Sequence, residues 1–305
     1  MLHAVLLVLT VSSAAMVLVH LAPGDSLQEI GGDPAVAAAE RARLGLDRPF
    51  IAQYSSWLRR AAVLDFGESV RFRRPVRTLL RERIPNTILL GSLALLLAIA
   101  LGVPAGVVTG SAPRHWLARM LAAASLLLVA TPPLVTALLL LAALTGWLPA
   151  GGFDPRGANL FEVTATALRY LPLPVIALGL PIAASIERLQ SAAIEEVLGE
   201  PCLAAARARG ISLQRATWVH ALRLSLTPVL GVMGIVIGTV LSGSFAVEIV
   251  MSWPGLGGLM YQALVARDTY LAAGCAAAGD VFLAVGLVAA DVALMAVDPR
   301  TLDTA

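Results

Sequence analysis

Three acidic side chains lie in or beside long apolar runs of this 305-residue sequence. Asp280 and Asp291 fall in the last run, and their spacing of about three helical turns places them on one face of a helix. Glu248 lies at the end of the run before it. Acids at such positions usually face the interior of a helix bundle or a water-filled path. We consider all three as candidates for a gate or translocation path. The alternatives are structural hydrogen bonds for the two aspartates and outer-loop packing for Glu248.

The other reactive residue types exclude most enzymatic chemistry. All 22 basic residues are Arg, and a Walker A loop needs a Lys for its phosphates, so a standard phosphate-loop ATPase cannot lie in this chain. Cys202 and Cys275 form neither a Cys-x-x-Cys motif nor a disulfide framework. Four histidines are scattered and give no zinc motif: His3, His20, His115 and His220. We expect no catalytic residue, no metal site and no cofactor in this chain.

The composition indicates a membrane protein built from helices. Apolar residues make up 58% of the chain and charged residues 14%, and the mean hydropathy is +0.82. Soluble domains are about 45–50% apolar and about 25% charged. The apolar residues form continuous runs rather than the short alternating segments of a barrel. A net charge of +2 without a dominant basic patch excludes nucleic acid as a partner.

Six apolar segments are long enough to span a bilayer, which predicts an all-α integral membrane fold with six transmembrane helices. They are residues 2–22, 87–109, 117–144, 171–186, 224–247 and 271–297. We expect the first to be a retained anchor, since it lacks a basic leader and its small residues lie inside the apolar run. The prolines of the third and fourth segments predict a kink at Pro132-Pro133 and a broken helix at Pro172, Pro174 and Pro181. The predicted domains are residues 1–86, the first span with an outer segment, and residues 87–298, the transport domain.

Arginine in the short loops predicts the orientation. With the N-terminus inside, eight Arg lie in or beside the inner loops: Arg114, Arg119, Arg188, Arg207, Arg209, Arg215, Arg223 and Arg300. The short outer loops carry only Arg156, Arg169 and Arg267. The long outer segment, residues 23–86, carries eleven Arg but exceeds the length to which the rule applies. We therefore expect both termini in the cytoplasm and a multi-pass protein of the bacterial cytoplasmic membrane.

Two amphipathic patterns occur in the outer segment. Phe50, Tyr54, Trp57 and Leu58 recur at helical spacing, which is typical either of a helix on the membrane surface or of a helix packed on the bundle. Residues 76–84 predict a second interfacial helix that leads into the second span.

The inner loop, residues 187–223, is patterned as two helices. Pro201 suits the first turn of a short helix over residues 202–209, and Gly210 suits the left-handed end of that helix. Ser212 is positioned to cap a second helix, residues 213–226, which we expect Pro228 to interrupt. A short helix joined in this way to a membrane span forms a lever. The alternative is a basic amphipathic helix resting on the inner leaflet.

This loop resembles the EAA loop of ABC-importer permeases, in the form found in the dipeptide, oligopeptide and nickel group. The residues that carry the resemblance are Ala204–Gly210, His220–Arg223 and Pro228. Further similar segments follow in order and at family-like intervals: LAPGD (21–25), LGLDRP (44–49), DFGES (65–69), RPV (74–76), GWLP (146–149), SWPGLG (252–257) and DPR (298–300). Together they resemble the first of the two permease subunits in such systems.

The resemblance implies a type I importer. Its expected partners are a second homologous permease, two ATP-binding subunits that hold ATP and Mg²⁺, an extracytoplasmic solute-binding protein and membrane lipid. In the family the short helix docks in a groove on the ATPase. The implied coupling residues are Ala204, Ala205, Ala206, Arg207, Gly210, His220 and Arg223. Ala204 replaces the glutamate of the family signature, which removes any salt bridge from that position. Asp291 matches a position that is commonly acidic in the family.

The solutes that the resemblance implies are dipeptides and oligopeptides. Nickel ranks lower, because it prefers imidazole ligands and only His20 lies near an outer face. A second function class is a proton-driven secondary transporter that uses Asp280, Asp291 and Glu248. A requirement for ATP and for a second subunit distinguishes the two.

Overall fold

A computed structural model describes residues 2–21, 34–144, 146–149, 151 and 168–297. The similar segments at 22–25 and 298–300 lie outside these ranges, as do Arg156 and Arg300. The described part is helical, without a strand. Its helices are α1 (Leu2–Leu21), α2 (Pro34–Leu44), α3 (Phe50–Ala61), α4 (Val76–Ser111), α5 (Trp116–Val129), α6 (Pro133–Leu144), α7 (Pro172–Leu198), α8 (Pro201–Ala208), α9 (Leu213–Arg215), a π-helix (Ala216–Ala221), α10 (Leu222–Gly231), α11 (Met233–Val250), α12 (Leu256–Val265) and α13 (Thr269–Val297).

Four of the described helices are long and apolar enough to cross a membrane, namely α4, α7, α11 and α13. The pair α5 and α6 makes a fifth candidate if its two bent halves form one span. In α1 the apolar stretch identified is shorter, Leu9–Val19. The prediction of an all-α membrane fold is confirmed, and every one of the six predicted segments is helical over most of its length.

Prolines affect the helices differently from the prediction. At Pro132-Pro133 the third segment is more than kinked, because α5 and α6 meet at 108°. The fourth segment, in contrast, is not broken: α7 is continuous and extends twelve residues beyond the predicted end at residue 186. Pro172 and Pro174 lie in its first turn, where backbone N–H groups have no partner within the helix, so only Pro181 interrupts the hydrogen-bond ladder.

Two further boundaries differ. The predicted second interfacial helix and the second span are one helix, α4, which continues through Pro85. The predicted helix 213–226 contains a π-helical turn and continues through Pro228 to Gly231. The break between α10 and α11 falls at Val232 instead.

The chain divides into two compact units, Met1–Ile88 with Trp253–Ala284, and Leu89–Ser252 with Val285–Ala305. In the first unit, Trp57 of α3 is buried with its ring 6.4 Å from that of Phe66, and the Tyr54 hydroxyl hydrogen-bonds to Ser13 of α1. These contacts agree with the alternative in which α3 packs on other helices by its aromatic side.

A buried carboxylate organises the segment before α4 in the first unit. Asp268 Oδ2 accepts hydrogen bonds from Ser69 Oγ at 2.5 Å and from the Arg71 N–H at 3.1 Å, while Oδ1 accepts from the Leu271 N–H at 3.2 Å. Burial raises the pKa of Asp268, although these hydrogen bonds act in the opposite direction. The hydrogen bonds join the turn before α4 to the start of α13.

The second unit is built around α7, which packs against α5, α6, α10 and α11. Three glycines at four-residue intervals, Gly102, Gly106 and Gly110, bring α4 directly onto its backbone. A Cβ at Gly106 would lie 2.5 Å from Gln190 Cβ, and a Cβ at Gly110 would lie 2.4 Å from the Ser191 carbonyl oxygen. This contact supports the loop that follows α7.

Candidate functional site

The short helix α8 ends in the way that the sequence predicts. Gly210 has a φ of +87°, in the left-handed region. Its N–H donates to the Arg207 carbonyl at 2.9 Å, and the Ile211 N–H donates to the Ala206 carbonyl at 3.3 Å. These two bonds form a Schellman motif, which satisfies carbonyls at the helix end and reverses the chain. The Ser212 hydroxyl then accepts from the Arg215 N–H at 3.4 Å and caps α9, as predicted.

One face of α8 is anchored on the second unit. Leu203 and Ala206, one turn apart, are buried in an apolar cluster that joins the short helix to both the membrane helices and the π-helix. The other buried members of the cluster are Val107, Ile194, Ala216 and Ala221, with Val197, Leu198, Ile211 and Leu222 packed at its edge. The cluster therefore packs the short helix against the adjoining ends of α4 and α7.

The opposite face of α8 is exposed and carries small side chains. Cys202, Ala204, Ala205, Arg207 and Ala208 are all exposed. Apart from Arg207, this face offers no side chain larger than Cys, so another surface can approach the helix backbone closely. Of the predicted coupling residues, Ala206 alone faces the apolar cluster, and its contribution is to anchoring rather than to the exposed face.

The basic residues of the loop are also exposed. Arg209, Arg215 and Arg223 contribute positive charge beside α8 and the π-helix, and the His220 side chain is exposed with them. Three large apolar side chains are exposed among them: Leu213, Trp218 and Val219. The loop thus combines a small-residue face with a margin of exposed charged and apolar side chains, which is a surface suited to contact with another molecule.

The three acids occupy different environments. In the second unit, Glu248 is fully buried in the last turn of α11, whereas Asp291 is exposed on α13. In the first unit, Asp280 is buried, and its Oδ2 has no hydrogen-bond partner among the described residues. Within the same ranges, no group of three or more His, Cys, Asp or Glu side chains is placed to hold a metal ion.

Four buried polar residues beside the loop were not singled out by the sequence analysis: Thr109, Glu187, Gln190 and Ser225. Their signal in the sequence is weak. Glu187 and Gln190 are one turn apart at the end of an apolar run, opposite the Gly-x-x-x-Gly pattern of α4, a pattern that favours close helix packing.

Comparison with known proteins identifies the family. Residues 102–303 match the model described as binding-protein-dependent transport system inner membrane component. The chain is 33% identical over 306 residues to a protein of Brucella suis biovar 1 named as a peptide permease, covering 96% of this chain and 94% of the relative. It is 30% identical over 304 residues to the oligopeptide transport system permease protein AppB of Bacillus subtilis, covering 96% and 95%.

A third relative is the glutathione transport system permease protein GsiC of Escherichia coli K12, 32% identical over 267 residues, which cover 85% of this chain and 82% of GsiC. The family match includes α7, the loop with α8, and the helices that follow it. This family is a component of transport systems and not a catalytic enzyme. The chain therefore belongs to the inner-membrane permease components of binding-protein-dependent transport systems, the family that its loop residues resemble.

Proposed function

We propose that this chain is one permease subunit of an ATP-driven importer for dipeptides or oligopeptides. The observation that carries the proposal is α8: a short helix anchored on α4 and α7 by one face and exposing small side chains on the other. Such a helix transmits the movement of a bound partner to the membrane helices. The family match and the peptide names of the relatives AppB and the Brucella protein support the importer class and the solute class.

The proposed partners are a second homologous permease, two ATP-binding subunits and an extracytoplasmic solute-binding protein. ATP and Mg²⁺ would be held by the ATP-binding subunits, because this chain has no Lys for a phosphate loop. The coupling residues are those of α8 and the following turn, with His220 and Arg223 at the margin. We assign Glu248, Asp280 and Asp291 to the gate or path. The family match favours this function over the proton-driven alternative.

The direct test is uptake by proteoliposomes that contain this chain, its partner permease and the ATPases, with the binding protein outside. Peptide should accumulate only with ATP inside and with all subunits present. The purified chain alone should neither bind nor hydrolyse ATP. Uptake that is driven by a proton gradient without ATP, or ATP turnover by this chain alone, would refute the proposal.

The proposed topology has six spans with both termini in the cytoplasm. The proposed domains are an N-terminal part that ends at residue 86 and a transport domain, residues 87–298. Gln214 in the loop and Ser55 in α3 are both exposed, so each is a suitable site for a cysteine probe. In a background with Cys202→Ser and Cys275→Ala, we expect Gln214→Cys to react with an impermeant thiol reagent only in inside-out vesicles. Ser55→Cys should react only in right-side-out vesicles. Reaction of both probes from one side would contradict the topology.

Strain at the end of α8 gives a second prediction. Gly210→Ala places a side chain at a φ of +87°, which costs about 1–2 kcal/mol for an L-residue. Gly199→Ala is the matched control in the same loop, because Gly199 has a φ of −79° and its added Cβ meets only ordinary contacts. Amide hydrogen exchange over residues 201–215 should accelerate at least about fivefold in Gly210→Ala and stay unchanged in the control. Equal exchange in both variants would mean that the Schellman turn does not hold the loop.

A further inference from the structure

Four buried polar side chains connect α4, α7 and α10 beside the apolar cluster. Thr109 of α4 is 5% exposed, Glu187 and Gln190 of α7 are 3% and 0% exposed, and Ser225 of α10 is 0% exposed. The Thr109 hydroxyl hydrogen-bonds to Glu187 Oε1, and Gln190 Nε2 donates to Ser225 Oγ at 2.6 Å. We call these four residues the polar clamp.

The clamp is held firmly on its α4 side. Gly106 leaves the space that the Gln190 side chain fills: a Cβ at Gly106 would lie 2.5 Å from Gln190 Cβ and 2.7 Å from the Glu187 carbonyl oxygen. The Thr109 hydroxyl also lies 3.0 Å from the Ala105 carbonyl oxygen in its own helix. Since α4 and α7 are in backbone contact here, Glu187 and Gln190 have a fixed position relative to α4.

On its α10 side the clamp reaches the segment that follows the π-helix. Ser225 Oγ accepts from Gln190 and donates to the Leu222 carbonyl at 3.0 Å. Leu222 in turn packs at the edge of the apolar cluster that holds α8. One hydrogen bond, Gln190 to Ser225, therefore fixes α10 to α7 close to the point where the loop joins the membrane helices.

Apolar and polar contacts restrain the helices at this junction in different ways. Contacts within the apolar cluster are non-directional, so they hold α8 and α10 against α7 without fixing how far one slides along the other. Hydrogen bonds require a narrow range of distance and angle, so they fix the register. The clamp therefore determines whether a displacement of α8 moves α7 or only makes α10 slide along α7.

The clamp is also incompletely paired. Glu187 Oε2 and Gln190 Oε1 are buried and receive no hydrogen bond in the part of the chain that the structure describes. A buried acceptor without a donor is unfavourable, and a partly satisfied network has less to lose on rearrangement than a complete one. With these two acceptors unpaired, the clamp depends on the hydrogen bonds that Thr109 and Ser225 make.

From these contacts we propose that Glu187 and Gln190 are positioning residues for energy coupling: the clamp transmits displacement of α8 to α4 and α7 by holding α10 in register. This inference rests on the proposed importer function. No contact with solute or nucleotide is involved, and the effect of the clamp is on the efficiency with which ATP hydrolysis drives transport.

The test measures solute transported per ATP hydrolysed in the reconstituted complex. Thr109→Val and Ser225→Ala remove one hydroxyl each, and Gln190→Leu removes the central amide. We expect the ATPase subunits to co-purify and to hydrolyse ATP, while solute per ATP falls at least about fivefold, the factor that corresponds to one lost hydrogen bond. Thr109→Ser keeps the hydroxyl and should keep the wild-type ratio.

The matched controls are Thr239→Val and Ser185→Ala. Their hydroxyls donate within their own helices, Thr239 to the Ile235 carbonyl at 2.9 Å and Ser185 to the Pro181 carbonyl at 3.1 Å. A purely structural role would lower uptake and ATP hydrolysis together and leave their ratio unchanged. An unchanged ratio in Ser225→Ala and Thr109→Val, or an equal fall in the controls, overturns the inference. Absence of ATP-dependent uptake in the wild-type complex would instead refute the proposed function.

Discussion

Gly106→Ala is expected to destabilise the second unit strongly. The added Cβ would lie 2.5 Å from Gln190 Cβ and 2.7 Å from the Glu187 carbonyl oxygen, and neither is the end of a flexible side chain. Relief requires α4 to move away from α7, which separates the apolar cluster and the polar clamp together. Overpacking usually costs about 1–3 kcal/mol, and we expect the upper end of that range or more because a backbone carbonyl is one of the obstacles.

Gly231→Ala is the control for this prediction. It adds the same Cβ at a helical glycine of the same unit, where no atom lies within 4 Å. Gly231 is the last residue of α10, where the preference for Ala over Gly is weaker than in a helix interior, so stability should hold or rise slightly. The measurement is the thermal unfolding midpoint of the purified chain in one detergent, with the yield of monodisperse protein. Equal midpoints for the two variants would show that α4 and α7 are not in the contact described.

Ala205→Asp is expected to abolish coupling without unfolding the chain. Ala205 lies on the exposed face of α8, so the isolated protein can hydrate the new carboxylate. In a closely fitted interface the same carboxylate would be buried without a partner. Such burial costs several kcal/mol, and ATP-dependent uptake should therefore fall by at least about tenfold.

Two other substitutions distinguish a loss of ATPase docking from a loss of stability of the chain. Ala206→Asp places the charge inside the apolar cluster and should lower the unfolding midpoint of the isolated chain. Ser55→Asp adds the same charge on the exposed face of α3 and should leave both uptake and stability unchanged. The assays are uptake by reconstituted complexes, ATPase co-purification and thermal unfolding. Normal uptake by Ala205→Asp would exclude the exposed face of α8 as a docking surface.

Local signals in the sequence were sufficient to predict the shape of the loop. Pro201, Gly210 and Ser212 act within one or two turns of themselves, through a fixed φ, a left-handed conformation and a side-chain cap. Pro172 and Pro174 do not break the helix as predicted, because both lie in the first turn of α7, where a proline removes no hydrogen bond of the helix. No local signal near Pro228 predicts the π-helical turn that precedes it.

Features that depend on tertiary contacts could not be predicted from the sequence. The spacing of Gly102, Gly106 and Gly110 suggests a packing face, but it does not say which helix covers that face. Glu187 reads as a loop residue until α7 is seen to continue past it. Likewise, the periodicity of α8 does not show which alanine is buried, and only the packed cluster distinguishes Ala206 from Ala205.

We expect the ATPase to act on the exposed face of α8, and native Cys202 reports on that face directly. Cys202 is exposed on α8, whereas Cys275 is buried, so alkylation of the folded chain should be confined to Cys202. The measurement is the rate of Cys202 alkylation, followed by mass spectrometry, in the permease alone and in the complex with its ATPase subunits. A cysteine introduced by Ser55→Cys serves as the internal reference. We predict that assembly slows the reaction of Cys202 strongly and leaves that of the reference unchanged. An equal rate for Cys202 in the free and assembled permease would show that the ATPase does not dock on the exposed face of α8.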